Sequence, residues 1–297
     1  MSQNSDTKGV LAMMNILVAT NDAYYPRLKI FTNSLSRHCA DFSITVLCGD
    51  LRKDYREDFL RFCGKNGISA RFVEVKDQRS GGYKLIHQIT VETYYRFQIL
   101  EIYPIEDRAI WMDIDTVLLQ DIAPLYYDDF EGNYVIACPG NNVEKHLARL
   151  GLAPGGCYFN AGVIVFNLER IRKDFAPDFL YDVYEKYEDI IRFSDQDVLN
   201  IAFAGKIKGI DSRKYNYIIP SGYRMKPGEF KHIRKNVAVV HYIRHIKPWQ
   251  YYFQGRIRYL YLKAMLPIYP LQAVGLAIAG ELYRLYPRKK TLENSVR

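Results

Sequence analysis

Short apolar runs alternate along the chain with segments whose apolar residues recur at helical spacing. Asn15-Ile-Leu-Val-Ala-Thr20 is an apolar run of strand length and predicts a buried strand. From Tyr24 to His38, Leu28, Phe31 and Leu35 recur near the helical period. Phe42–Cys48 predicts a second strand, stopped by Gly49 and Asp50. Lys53–Asn66 predicts a helix carrying Tyr55, Phe59, Phe62 and Cys63, closed by Gly67 at its C-terminus. Ala70–Val75 predicts a third strand. Strand, helix, strand, helix, strand in this order is the βαβ signature of a parallel α/β sheet. It begins close to the N-terminus, as it often does in nucleotide-binding folds.

The pattern continues with a helix over Thr90–Leu100 and a strand over Asp107–Met112 that runs straight into Asp113-Ile114-Asp115. Further strands are expected at Tyr134–Cys138 and Cys157–Asn167, and helices at Phe175–Ile191 and Asp195–Phe203. Val237–Val240 is a last short strand ending at His241. No internal repeat or low-complexity segment interrupts the series. The expected organisation is a leader at 1–13, one catalytic domain over 14–250, and a C-terminal attachment region over 251–297.

Composition narrows the class. The chain has 297 residues, 48% of them hydrophobic and 25% charged, which excludes a disordered, collagen-like or coiled-coil protein. The five cysteines, Cys39, Cys48, Cys63, Cys138 and Cys157, are odd in number and contain no C-x-x-C pair. They read as reduced thiols of a cytoplasmic protein rather than a disulfide framework. No signal peptide is recognised in the leader, and no run of about 18 uninterrupted apolar residues predicts a spanning helix. Of the net charge of +8, the stretch from Gln250 onward carries +6 and also seven Tyr. A basic, aromatic tail points to an anionic surface, and no nucleic-acid motif accompanies it. The Leu271–Tyr286 stretch, flanked by Pro267, Pro270 and Pro287, suits a helix lying on a bilayer rather than crossing it, the alternative being a terminal helix packed on the rest of the chain.

Four constellations carry candidate chemistry. In the first, an apolar strand ends in Asp113 and Asp115, one residue apart, where carboxylates at a strand's C-terminal end can share one divalent cation. A phosphatase of the haloacid dehalogenase type also uses an apolar strand followed by Asp-x-Asp. Such a fold usually opens with that motif and needs a late acidic pair, whereas after Asp211 this chain has only Glu229, Glu281 and Glu293. In the second, Asn160 and Gly162 interrupt an apolar strand; Gly permits close approach and Asn offers a donor and an acceptor to hydroxyls. In the third, Ser194-Asp195-Gln196-Asp197 reads as a helix start with Ser194 as N-cap and a polar cluster facing a sugar ring. In the fourth, His241 follows a buried strand, and Lys247 comes six residues later in Lys247-Pro-Trp249. Two carboxylates and one imidazole favour Mn²⁺ over Ca²⁺, with Mg²⁺ as an alternative, and Lys suits phosphate.

Taken together and in this order, the four motifs resemble the family 8 glycosyltransferases, retaining enzymes that include bacterial lipopolysaccharide galactosyl- and glucosyltransferases and glycogenin. The resemblance runs from about Met14 to Trp249. It implies an α/β fold of the Rossmann-like GT-A type with a mixed, mainly parallel central sheet. It implies a UDP-hexose donor, a glycan or glycolipid acceptor, and location at the inner face of the cytoplasmic membrane. It places uracil and ribose against Ala19, Thr20, Asn21 and Tyr24, and Arg96 of Thr93-Tyr-Tyr-Arg96 near the donor. Ile114 joins the donor-binding set, Asp113, Asp115 and His241 hold Mn²⁺, and Lys247 holds the diphosphate. Asn160, Asp195 and Gln196 face the donor sugar as the catalytic group. Two departures stand out: Asn21 replaces a common Asp in the uracil loop, and Arg244 takes the place of a Gly before Lys-Pro-Trp. A non-catalytic relative and a sugar-1-phosphate nucleotidyltransferase are the rival readings. The latter expects a Gly-rich N-terminal loop, and Asn15–Tyr25 contains no Gly.

Overall fold

A computed structural model describes residues 13–76, 83, 90–219, 225–243, 246–253 and 255–285. Most of the leader, Arg244, and the basic end of the tail from residue 286 lie outside the described residues. Ten strands are described: β1 (Met14–Ala19), β2 (Phe42–Cys48), β3 (Ser69–Glu74), β4 (Arg108–Met112), β5 (Thr116–Leu118), β6 (Val135–Pro139), β7 (Phe159–Asn167), β8 (Ile207–Gly209), β9 (Tyr217–Ile218) and β10 (Val239–His241).

Seven of them form one sheet in the order β3-β2-β1-β4-β7-β6-β8. β1, β2, β3 and β4 run parallel, and β7 is antiparallel to both β4 and β6. This is the mixed, mainly parallel sheet the sequence implies. The register sets Ile16 beside Ile110 and Met112 beside Val163. Both faces of the sheet are covered, which explains why these strands are almost continuously apolar. Ile16, Val18, Ile110 and Met112 enter one core with Leu28, Phe31 and Phe59 of the helices Tyr25–Ser36 and Lys53–Lys65. Leu17, Trp111, Ile164 and Phe166 enter the opposite core with Leu180, Leu199 and Phe203.

β5, β10 and β9 form a second, three-stranded sheet. β10 pairs antiparallel with β5, so that His241 lies opposite Thr116, and parallel with β9. A third core covers this sheet, built from Val117, Val240 and Tyr242 together with Leu260, Tyr261 and Met265. The last three belong to the helix Arg258–Met265, part of the region expected to serve for attachment. A second C-terminal helix, Pro270–Leu285, packs on it. Gly280 makes that contact possible: a Cβ there would stand 2.2 Å from Nη1 of the buried Arg258.

Some elements differ from the sequence pattern. The helix expected at Phe175–Ile191 is shorter, at Phe179–Tyr187, and is followed by a 3-10 turn at Glu188–Ile190; a helix that the pattern did not show, Leu168–Asp174, precedes it. Asn167 ends β7 and accepts a hydrogen bond from the Arg170 backbone, capping that preceding helix. Pro177, which lacks an N–H, lies in the break between the two helices. The Thr90–Leu100 segment is a 3-10 helix over Val91–Gln98 followed by an α-turn over Ile99–Ile102. Ser194 is the first helical residue rather than a cap; its φ is +48° and no side-chain cap bond precedes it.

Candidate active site

The carboxyl ends of β1 and β4 and the segment around Gly162 of β7 meet at one end of the central strands of the large sheet. The backbone N–H of Asp113 donates to the Gly162 carbonyl at 2.9 Å, and the N–H of Tyr242 donates to the Asp115 carbonyl at 3.1 Å. These two bonds tie the Asp113–Asp115 turn to β7 on one side and to the end of β10 on the other. The β10–β5 register then brings His241 across. Its Nε2 lies 3.1 Å from Asp115 Oδ1 and 3.6 Å from Asp113 Oδ2. One ligand atom from each of the three residues falls within 4.8 Å of the others. Residues 128 positions apart in sequence thus form the expected triad.

Gly162 is required for this approach. A Cβ on it would stand 2.2 Å from His241 Cε1 and 2.7 Å from Nδ1. The close group that the interrupted strand predicted is therefore the imidazole. His241 Nδ1 lies 2.8 Å from Asn216 Oδ1, an acceptor, so Nδ1 carries a proton and Nε2 is the nitrogen that faces the carboxylates. Two carboxylates and an imidazole nitrogen converge closely enough to share one divalent cation. The donor set fits one, and nitrogen among oxygens suits Mn²⁺ or Mg²⁺ better than Ca²⁺.

Lys247 is placed differently from a free phosphate cation. Its ammonium donates to Asp115 Oδ2 at 2.5 Å and to the Tyr242 carbonyl at 2.7 Å. Burial alone would raise the Asp115 carboxyl. The Lys247 ammonium and His241 outweigh that and hold it well below the usual carboxylate range. Trp249, two residues on, meets the edge of Tyr24 at a centroid distance of 5.9 Å, and the Arg27 guanidinium lies 4.8 Å from the Trp249 ring. This contact joins the loop after β1 to the Lys247 segment. In that loop Asn21 Oδ1 accepts from the Tyr24 N–H, Thr20 is buried, and Ala19 and Tyr24 are half-buried. Ile114 turns its side chain into the apolar core, so only its backbone is available to a ligand.

Arg96 is buried among acids. Its Nη2 lies 3.3 Å from Asp113 Oδ1 and its Nη1 3.3 Å from Asp195 Oδ2, while Nη1 also donates to the Ala161 carbonyl at 2.7 Å. The guanidinium stacks 3.7 Å over Trp111, whose indole N–H donates to Asp113 Oδ1 at 2.8 Å. Asp195 is buried and accepts from the Thr93 hydroxyl at 2.6 Å. Burial pushes its carboxyl up, against Arg96 and Thr93. Asn160 and Gln196 share a network. Gln196 Oε1 accepts from Asn160 Nδ2 at 3.1 Å and from the Ala161 N–H at 3.2 Å, and its Nε2 donates to the Tyr158 hydroxyl at 2.9 Å. All three predicted sugar-facing residues therefore gather beside the triad.

The structure gives several residues supporting roles that the sequence pattern did not assign, and it turns Asp197, part of the polar cluster expected to face a sugar, into the fold instead. Asp197 is fully buried and accepts from Arg149, the Tyr158 hydroxyl and the backbone N–H groups of Arg192 and Phe193. It pins the start of the helix Ser194–Ala202 and so positions Asp195 and Gln196. Asn200 does the same for β7 by exchanging hydrogen bonds with the Phe159 backbone. Trp111 and Thr93 stood inside motifs already singled out. Asn216 had no local signal beyond a polar residue between two tyrosines.

The model of glycosyl transferase family 8 matches residues 15–252. The chain belongs to glycosyltransferase family 8. It is 24% identical over 248 residues to the glycosyltransferase GlyF of Streptococcus pneumoniae, covering 83% of this chain and 60% of GlyF. It is 28% identical over 186 residues to the lipopolysaccharide 1,3-galactosyltransferase of Salmonella typhimurium, covering 56% of this chain and 54% of that protein. The chain thus spans about 60% of the length of GlyF. Among solved structures it matches the galactosyltransferase LgtC in complex with donor and acceptor sugar analogs. That match has a TM-score of 0.74 and 25% identity, covering 86% of this chain and 96% of LgtC. The family 8 chain has the GT-A fold of that enzyme.

Proposed function

We propose that this family 8 chain is a retaining transferase that moves a hexose, galactose or glucose, from a UDP-sugar to a hydroxyl of a glycan or glycolipid. The observation that carries the reading is the meeting of Asp113, Asp115 and His241 beside the Asn160 and Gln196 amides. Those three residues are the ones that would hold Mn²⁺, with Mg²⁺ as the alternative. A divalent cation bound there supplies charge neutralisation to a diphosphate leaving group. Lys247, paired with Asp115, brings a further positive charge to the same leaving group. Ala19, Thr20, Asn21 and Tyr24 form the loop that receives uracil and ribose, and Trp249 closes it against the Lys247 segment. Asn160 and Gln196 orient sugar hydroxyls. Asp195, kept beside Arg96, faces the carbon where positive charge develops. The Salmonella galactosyltransferase and LgtC support a hexose as the transferred group. UDP release measured over a panel of UDP-sugars tests this. One UDP-hexose should give release that needs Mn²⁺ and stops in EDTA or in Asp115→Ala. No release with any UDP-sugar, or full release in EDTA, refutes it.

The same reading places the acceptor at a lipid surface on the inner face of the cytoplasmic membrane. Leu271, Val274, Ile278 and Leu282 form an exposed apolar stripe on the helix Pro270–Leu285. Among the described residues no helix is long and apolar enough to cross a membrane. The sequence adds Arg288, Lys289 and Lys290 beyond that helix. Each such cation near an anionic surface contributes about 1 kcal/mol. The full-length protein should sediment with anionic vesicles at low salt, and replacement of the four apolar residues by Gln should leave it in solution. Equal sedimentation of the two removes the stripe from the account.

A further inference from the structure

Asn216 lies between a short helix at Ser212–Tyr215 and β9, and only 2% of it is exposed. Among the described residues its amide bridges the metal-facing imidazole and the sugar-facing amides. Nδ2 donates to Asn160 Oδ1 at 2.8 Å, and Oδ1 accepts from His241 Nδ1 at 2.8 Å.

The direction of every bond in this bridge follows from two backbone donors. The Gly162 N–H donates to Asn160 Oδ1 at 3.1 Å, so that atom is an oxygen and the Asn216 atom facing it is a nitrogen. The other Asn216 atom is then the oxygen, and it faces His241 Nδ1, which must bear the proton. The Ala161 N–H fixes Gln196 Oε1 in the same way, and Asn160 Nδ2 donates to it. Tyr158 and Asp197 continue the chain, because Gln196 Nε2 donates to the Tyr158 hydroxyl, which donates to Asp197. Reversing the Asn216 amide would set oxygen against oxygen at Asn160.

We propose that Asn216 is a positioning residue with two coupled tasks. It holds His241 in the Nδ1–H tautomer, with Nε2 presented to Asp113 and Asp115, and it locks the Asn160 amide toward Gln196. A metal-binding histidine commonly has its second nitrogen fixed by such an acceptor, and loss of that partner weakens metal binding by about 10–100-fold. Here the partner is an amide rather than a carboxylate. It therefore also has a donor to spend on the sugar side, and the cation and sugar subsites are set by one side chain. The inference rests on the proposed metal and sugar subsites, but its first measurement does not depend on turnover.

That measurement is the ¹⁵N NMR pattern of the His241 ring in the full chain without metal at alkaline pH, assigned by its loss in His241→Asn. The wild type should show a protonated Nδ1 and a bare Nε2. Asn216→Leu should show a mixture or the reversed tautomer. A wild-type ring protonated on Nε2, or an unchanged tautomer in Asn216→Leu, overturns the proposal. Mn²⁺ binding, read from free-ion EPR without donor, is the second arm. Asn216→Leu should weaken it by about tenfold or more. Asn216→Asp keeps the acceptor for Nδ1–H and removes the donor to Asn160. It should retain near-wild-type Mn²⁺ affinity while lowering kcat more than it changes the KM for donor. Equal loss of Mn²⁺ affinity in both variants would also overturn the two-task assignment. If the wild type binds no Mn²⁺, the metal reading fails, and the tautomer alone decides the role of Asn216.

Discussion

Lys247 Nζ meets Asp115 Oδ2 at 2.5 Å, and neither side chain is more than 14% exposed. A residue expected to wait for phosphate is thus bound to a residue expected to bind metal. The pair places an ammonium, an imidazole and two carboxylates around one point, and the ammonium offsets the charge of the nearly buried Asp115 carboxylate.

Breaking that pair from one side leaves a nearly buried carboxylate uncompensated. Lys247→Met should lower unfolding stability in EDTA by about 3 kcal/mol. Adding Asp115→Asn should restore most of it, because the orphaned charge is then gone. Urea unfolding of the two single variants and the double variant forms the cycle, and strictly additive losses would show that the pair contributes nothing.

Gly162→Ala tests the space that the imidazole occupies. The added Cβ would stand 2.2 Å from His241 Cε1 and 3.1 Å from Asn160 Oδ1, so the ring must move. Mn²⁺ affinity should fall by about tenfold or more as the ligand geometry is lost. Unchanged affinity in the EPR titration would mean that the strand yields instead of the ring.

Gln196→Ala removes the acceptor shared by Asn160 and the Ala161 N–H. It should lower kcat much more than UDP affinity, since its contacts lie on the proposed sugar side of the site. A collapse of UDP affinity with kcat intact would move Gln196 to the nucleotide side.

The thiols give a check on packing. Burial pushes Cys39, Cys63 and Cys138 up to about 12, and Cys48 is buried as well. Cys157 is the half-exposed one. At pH 8 the native protein should release at most one equivalent of thiol to a disulfide reagent, and five after denaturation. Rapid labelling of several thiols in the native state would contradict the packing of β2 and β6.

β1, β2 and the strand leading to Asp113 were legible because each buries a nearly continuous apolar run, and burial on both faces writes itself into the sequence; the half-exposed edge strand β3 was legible from its place after the second helix. The triad residues were legible because they end such runs. β5, β8 and β9 were not, since two or three residues carry no periodicity. What the chain alone determined, therefore, is which residue types stand at the ends of buried strands. Tertiary structure decided their partners. The antiparallel β10–β5 register carried His241 to Asp115, and the loop beyond Tyr242 turned Lys247 onto the same carboxylate. Packing on Trp111 turned Arg96 toward Asp113 and Asp195. Asn216 became a support through contacts dozens of residues away, and Asp197 through such contacts together with two local backbone bonds. Hydrogen bonds between distant polar groups leave no period in the sequence, because either partner alone looks like any other polar residue. Only the folded sheet brings donor and acceptor into line.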